Sequence, residues 1–154
     1  EMLDALTKCC SSKRWAKQVL QARPFKSIED VFNKSEEVWS SLTKEDWLEA
    51  FSGHPKIGDV SSLKEKYANT TDWAKGEQSG VESASDEVIE ELSDLNSEYL
   101  KKYGYIFIVC ATGKTAKEML EILRSRINNQ FDQELKIAAR EQLKITKIRL
   151  EKLL

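Results

Sequence analysis

The stretch Phe51-Ser52-Gly53-His54-Pro55-Lys56-Ile57-Gly58 carries the only histidine of the chain, with one of its two prolines and two of its six glycines. Imidazole changes charge near neutral pH, which suits it to proton transfer. Gly53 and Gly58 allow backbone angles closed to other residues, while Pro55 fixes its own φ and pushes His54 toward an extended conformation. Rigid and permissive residues gathered around one imidazole read as a device for aiming it. A His before a Pro can equally end a helix and no more, its ring bonded to a backbone carbonyl. Residue types alone leave both readings open.

Three further stretches could serve that imidazole. Gly76-Glu77-Gln78-Ser79-Gly80 sets a carboxylate beside an amide able to donate and to accept. Beside His54 the pair could orient the ring or share its proton; on a solvated helix surface it would do neither. Arg149 stands among the core-like Ile145, Ile148 and Leu150, where a charge must find a partner. Either it snorkels at the core's edge or it offers its planar fork to a carboxylate, which Arg suits better than Lys. Ala111-Thr112-Gly113-Lys114-Thr115 looks like the end of a phosphate-binding loop, but Ile108 occupies the place where that motif needs its first glycine. No alternating strand–helix pattern accompanies it. What survives is a turn whose N–H groups, at a helix start, could hold a small anion or a carbonyl.

These residues must be held by helices. Ser12 precedes Trp15, Val19 and Leu20, with Pro24 beyond. Ser27 with Asp30, and Thr43 with Asp46, resemble capping boxes ahead of apolar residues at helical spacing, so His54 falls at a helix exit with Gly53 as a left-handed cap. Ser62 with Glu65 could start another helix, and Asn69-Thr70-Thr71-Asp72 would cap a helix over 73–78. Val88, Ile89, Leu92, Leu95, Tyr99 and Leu100 keep helical spacing up to Gly104. Tyr105 to Ala111 has the β-branched and aromatic content of a buried strand but nothing to pair with, so it reads as an extended buried segment or an apolar helix start. Helices over 116–127 and from a cap at Asp132 to Leu154 complete the chain. The expected fold is all-α: a single compact multi-helix domain over residues 1–154 with no substantial sheet.

Composition narrows the function. The chain has 154 residues, 40% apolar and 32% charged, a globular balance. Its 24 basic and 26 acidic residues are interspersed and give a net charge of −2, which argues against nucleic-acid and polybasic membrane surfaces. No apolar run approaches the roughly 20 residues that span a bilayer. Cys9, Cys10 and Cys110 form no CxxC pair, and with one histidine they exclude a structural zinc site. They suit a reducing compartment, with Cys110 a small buried hydrophobe.

Taken in order, Gly53-His54-Pro55-Lys56-Ile57-Gly58, Gly76-Glu77-Gln78-Ser79, Gly104-Tyr105-Ile106-Phe107-Ile108-Val109-Cys110-Ala111 and Ile145-Thr146-Lys147-Ile148-Arg149-Leu150 resemble the OHCU decarboxylase family, over nearly the whole chain. Asp46-Trp47-Leu48-Glu49-Ala50-Phe51 most resembles its plant version, in which the domain is fused to a transthyretin-like hydroxyisourate hydrolase absent from this chain. The resemblance implies decarboxylation of 2-oxo-4-hydroxy-4-carboxy-5-ureidoimidazoline (OHCU) to (S)-allantoin in urate degradation. It implies no cofactor, no metal, a homodimer, and a peroxisomal or alternatively cytoplasmic setting; the chain ends Glu151-Lys152-Leu153-Leu154 rather than in Ser-Lys-Leu. Carried over by position, His54 and Glu77 are the expected catalytic pair. Pro55, Gln78 and Arg149 are expected substrate contacts, and Ile108, Val109, Cys110 and Ala111 supply backbone groups to the ureide. Relatives often carry Ser three places before the Glu, where this chain has Ala74, and that position is left out of the expected site. The competing expectation is a helical protein-interaction module whose His-Pro turn is structural.

Overall fold

The computed structural model describes residues 1–54, 60–64 and 86–154. Among them stand helices α1 (Met2–Cys9), α2 (Lys13–Gln21), α3 (Ile28–Ser41), α4 (Lys44–Ser52), α5 (Asp86–Tyr103), α6 (Ala116–Arg126) and α7 (Phe131–Leu153). Residues 60–64 are also helical, and no strand occurs among the described residues. The fold is all-α, as the periodicity predicts. By packing, the described residues fall into two compact units. One holds residues 1–54, Ile108–Cys110 and Leu135–Leu154; the other holds residues 60–64, 86–107 and 111–134. The expected cap at residues 69–72, the helix over 73–78 and the Glu77-Gln78 pair lie outside the described residues.

Helix starts follow the capping chemistry. The Ser12 hydroxyl accepts from the Trp15 N–H at 3.2 Å. Thr43 and Asp46 form a reciprocal box, Asp46 N–H to Thr43 Oγ1 at 3.3 Å and Thr43 N–H to Asp46 Oδ2 at 3.2 Å. Thr115 and Glu118 do the same at the start of α6. Ser27 caps α3 by accepting from the Asp30 N–H, but the return bond expected of Asp30 is not made. Its carboxylate takes the Lys26 N–H at 2.9 Å, one residue upstream, and also meets Lys34 at 3.4 Å. The last helix begins at Phe131, so Asp132 does not cap it but sits in its first turn, where a negative charge faces the positive end of the helix dipole.

In the first unit the indole N–H groups lace helices together. Trp15 of α2 donates to the Ser35 carbonyl of α3 at 3.2 Å, and Trp47 of α4 donates to the Trp39 carbonyl of α3 at 3.0 Å. Trp39 itself donates to the Ala139 carbonyl of α7 at 2.9 Å. Each large ring thereby buries apolar area while its one polar atom stays satisfied. Trp15, Val19 and Phe51 are fully buried, as are Ala138 and Leu150 of α7. The second unit packs α5 against α6 around a buried carboxylate. Glu134 accepts from the Arg126 guanidinium, from the Tyr99 hydroxyl and, at 3.0 Å, from the Asn129 amide. Arg126 also lies over the Phe107 ring, 4.6 Å from its centre. So complete a shell is what a buried charge requires. Gly104 closes α5 at φ +83°, its N–H on the Leu100 carbonyl at 2.9 Å.

Gly53 corrects the sequence reading. It stands at φ −77°, in the right-handed region, so it is no left-handed cap. What it needs is space: a Cβ there would lie 2.0 Å from Ser11 Oγ and 2.4 Å from Ser11 Cβ. The glycine lets the chain before His54 run against the α1–α2 connection. Gly53→Ala is therefore expected to lower stability by about 1–3 kcal/mol, the scale of overpacking. Adding Ser11→Gly should return most of the loss. Urea denaturation of the two variants checks this; equal losses in both would count against the steric account.

Candidate active site

His54 follows the C-terminal turn of α4, its N–H on the Phe51 carbonyl at 3.3 Å. The ring is half-buried and meets α7, where Nε2 lies 2.5 Å from the side-chain oxygen of Gln142. Gln142 is fully buried, and its amide N–H donates to Thr146 Oγ1 at 3.1 Å. Thr146, one turn further along, donates its hydroxyl proton to the Gln142 backbone carbonyl at 2.9 Å. Among the described residues His54 Nδ1 makes no hydrogen bond.

Arg149 lies on the same face of α7, seven residues beyond Gln142 and three beyond Thr146. It is half-buried, and Nη1 donates to the Cys9 carbonyl at 3.4 Å, at the C-terminal end of α1. A cation suits that negative helix end. A guanidinium has five N–H donors, and Arg149 makes no other hydrogen bond among the described residues. Among the described residues, most of its fork faces no acceptor.

From Tyr105 to Ala111 a bend leads into a stretch that is neither strand nor helix, so it is not the apolar helix start, one of the two forms expected of it. Ile108 and Cys110 point inward, and the Cys110 N–H, which has no strand to bond, donates to a carboxylate oxygen of Glu141 at 2.9 Å. Adjacent residues of α7 therefore hold two parts of the expected site: Glu141 fixes the backbone at Cys110, and Gln142 fixes the imidazole. One consequence bears on the resemblance. The Cys110 N–H expected to face a ligand is engaged by Glu141.

The structure brings His54, Ile108, Val109, Cys110 and Arg149 into one unit, and Ala111 falls in the other. Pro55, Glu77 and Gln78 lie outside the described residues. Sequence reasoning missed Gln142, Thr146 and Glu141. A signal was present: the buried positions Ala138, Ala139, Gln142, Thr146 and Leu150 put two polar side chains on the buried stripe of a helix, and buried polar groups seek partners.

Electrostatics favour a neutral imidazole. Burial lowers the His54 pKa most, the Gln142 hydrogen bond works against it, and the positive charge of Arg149 lowers it again. The Cys10 thiol is pushed up to about 11, chiefly by burial and against hydrogen bonds from the Ser12 backbone and the Thr146 side chain. Burial likewise raises the Cys9 thiol, so neither carries charge near neutral pH. An uncharged base beside a guanidinium can take a proton from an anionic ligand held on the Arg149 fork.

A family model for OHCU decarboxylase matches residues 1–151. The "Uric acid degradation bifunctional protein TTL" of Arabidopsis thaliana is 40% identical over 147 residues, covering 94% of this chain and 45% of that protein. The 2-oxo-4-hydroxy-4-carboxy-5-ureidoimidazoline decarboxylase of Xenopus laevis is 26% identical over 138 residues, 88% of this chain and 74% of that one. A crystal structure of OHCU decarboxylase in the presence of (S)-allantoin superposes with a TM-score of 0.79 at 38% identity, covering 97% of this chain and 96% of that chain. The chain spans 25% to 45% of the length of the bifunctional relatives it matches. No helix among the described residues is long and apolar enough to cross a membrane.

The depressed pKa gives a signed expectation. His54 should titrate below the ordinary imidazole value of about 6.5, and Arg149→Gln should move it up. The unfolded chain binds the proton more readily, so this contribution to stability is full above about pH 6.5 and is lost as pH falls toward the folded value. Proton–nitrogen NMR of the single imidazole reads the titration directly; a midpoint above the ordinary value would sink the account.

Proposed function

The chain belongs to the OHCU decarboxylase family, and from that premise we propose that it converts OHCU to (S)-allantoin in urate degradation, as a carboxy-lyase that needs no cofactor. The observation that carries the reading is the His54 imidazole, held at Nε2 by buried Gln142 and kept neutral beside Arg149.

The substrate supplies its own electron sink. When the bond to the carboxylate carbon breaks and CO2 leaves, the electron pair passes into the adjacent C=N bond. The hydroxyl proton is lost as its carbon becomes a carbonyl, and a proton delivered to one face of the neighbouring carbon sets the chirality. The protein must hold the ring, stabilise developing charge and move these protons. His54 acts as general acid/base on the hydroxyl proton, supported by Glu77. With Nε2 engaged by Gln142, Nδ1 is the nitrogen that exchanges the proton. Arg149 and Gln78 hold the anionic group and the ring, Pro55 forms a wall against it, and backbone groups of Ile108, Val109, Cys110 and Ala111 meet the ureide. At Cys110 the N–H already serves Glu141, so the contact assigned to that residue runs through another of its groups. We read residues 1–154 as one decarboxylase domain, active as a homodimer and peroxisomal by family resemblance.

The test generates OHCU in situ from urate with urate oxidase and hydroxyisourate hydrolase, and follows ultraviolet decay and circular dichroism. The wild-type chain should accelerate the decay and yield one allantoin enantiomer. His54→Ala should lose about 10²–10⁴-fold in rate, the scale of general acid–base catalysis. An unchanged rate and chirality in His54→Ala would defeat the assignment. No acceleration by the wild type would favour an interaction module instead.

A further inference from the structure

We infer that Gln142 is a positioning residue for the reaction, fixing His54 as the tautomer that carries its proton on Nε2 and so leaving Nδ1 as the proton-accepting atom. The inference rests on the proposed decarboxylase reading for its catalytic consequence, while the tautomer is argued from the hydrogen-bond chain, independently of that reading.

That chain has a direction. Thr146 has one hydroxyl proton, and both acceptors it meets lie outside the Gln142 side chain, the Gln142 backbone carbonyl at 2.9 Å and the Cys10 thiol. Toward the Gln142 side chain, Thr146 Oγ1 can therefore only accept, and the group 3.1 Å away must be the amide N–H. The amide oxygen then faces His54 Nε2 at 2.5 Å, and an amide oxygen accepts only. Nε2 must carry the proton. In the neutral ring the other nitrogen holds the lone pair, so Nδ1 is the base. Gln142 is fully buried and Thr146 nearly so, so turning the amide over would need two coupled changes away from water, the Thr146 hydroxyl leaving the Gln142 carbonyl for the amide oxygen and the ring proton moving to Nδ1.

The chemistry of the partner matters as much as its place. Where a carboxylate holds an imidazole, it also stabilises the charged ring. An amide holds the ring and fixes its tautomer with no full negative charge, so it orients the base without pre-loading it with a proton. Proton balance is simple: Nδ1 takes the hydroxyl proton of the substrate, the imidazolium keeps its Nε2–H on Gln142, and the proton is returned before the next turnover.

One histidine makes the test unambiguous. In uniformly ¹⁵N-labelled wild-type protein above the His54 pKa, long-range proton–nitrogen correlations should show Nε2 as the pyrrole-type and Nδ1 as the pyridine-type nitrogen. Gln142→Met, close in shape but without an acceptor, should mix the two tautomers. It should also lower kcat by about ten- to a hundredfold, the scale for removing the outer hydrogen-bond partner of a functional His, with KM little changed. Gln142→Glu keeps the acceptor but adds a charge, so it should raise the His54 pKa and, at a pH above that raised value, keep the Nε2–H tautomer and recover more of kcat than the Met variant. A pyridine-type Nε2 in the wild type overturns the inference, as does full kcat in Gln142→Met or a Glu variant no better than Met. If the wild type turns over no OHCU, the function reading falls while the spectrum still decides the tautomer.

Discussion

The buried amide of Gln142 is the constraint around which the first unit is arranged. A side-chain amide with no exposure must spend both of its ends on partners, because an unmet buried donor or acceptor costs about 1–3 kcal/mol. One end goes to Thr146 within α7 and the other to His54. The second contact joins residues far apart in the chain and brings the exit of α4 onto α7. Trp39 adds a tie of the same kind from α3, its indole N–H on the Ala139 carbonyl one turn before Gln142. The imidazole is thus seated by groups whose own places are set by burial.

Much of this was legible in the sequence wherever local chemistry decides local structure. Ser12, Thr43 with Asp46, and the Gly104 stop act as their types dictate, since a cap needs only the few residues beside it. Where a distant partner decides, the reading failed or fell short. Gly53 looked like a left-handed cap because glycine is the usual residue there. Its real constraint is Ser11, more than forty residues away, which no local pattern discloses. Asp30 was expected to complete a capping box, yet Lys26 and Lys34 draw its carboxylate elsewhere.

The site divides along the same line. His54 stood out by rarity and by its glycines and proline, and Arg149 by its place on an apolar stripe. Gln142 stands on the same stripe but carries no charge and no rare chemistry, so it passed unnoticed. Its importance comes from full burial against an imidazole, a fact of tertiary structure. Glu141 carries no rare chemistry either, although its carboxylate takes the Cys110 N–H. The Glu77-Gln78 pair stood out as an acid beside an amide between glycines, and its role comes from the resemblance.

Charge completes the account. Among the described residues Cys9 and Cys10 lie near Arg149, but burial raises both thiols and keeps them protonated. The positive field therefore falls on His54, adding to the effect of burial, and on whatever anion enters. On the proposed reading the two effects are linked. A carboxylate paired with Arg149 cancels part of the field that depresses the imidazole, so Nδ1 becomes more basic when the substrate is in place. A carboxylate in the position of Gln142 would have made the ring basic at all times and left it charged before the substrate arrived. The neutral amide fixes direction and leaves basicity to respond to the ligand. That division of labour between an orienting amide and a field-setting guanidinium on one helix face is the physical case for reading α7 as the frame of the site.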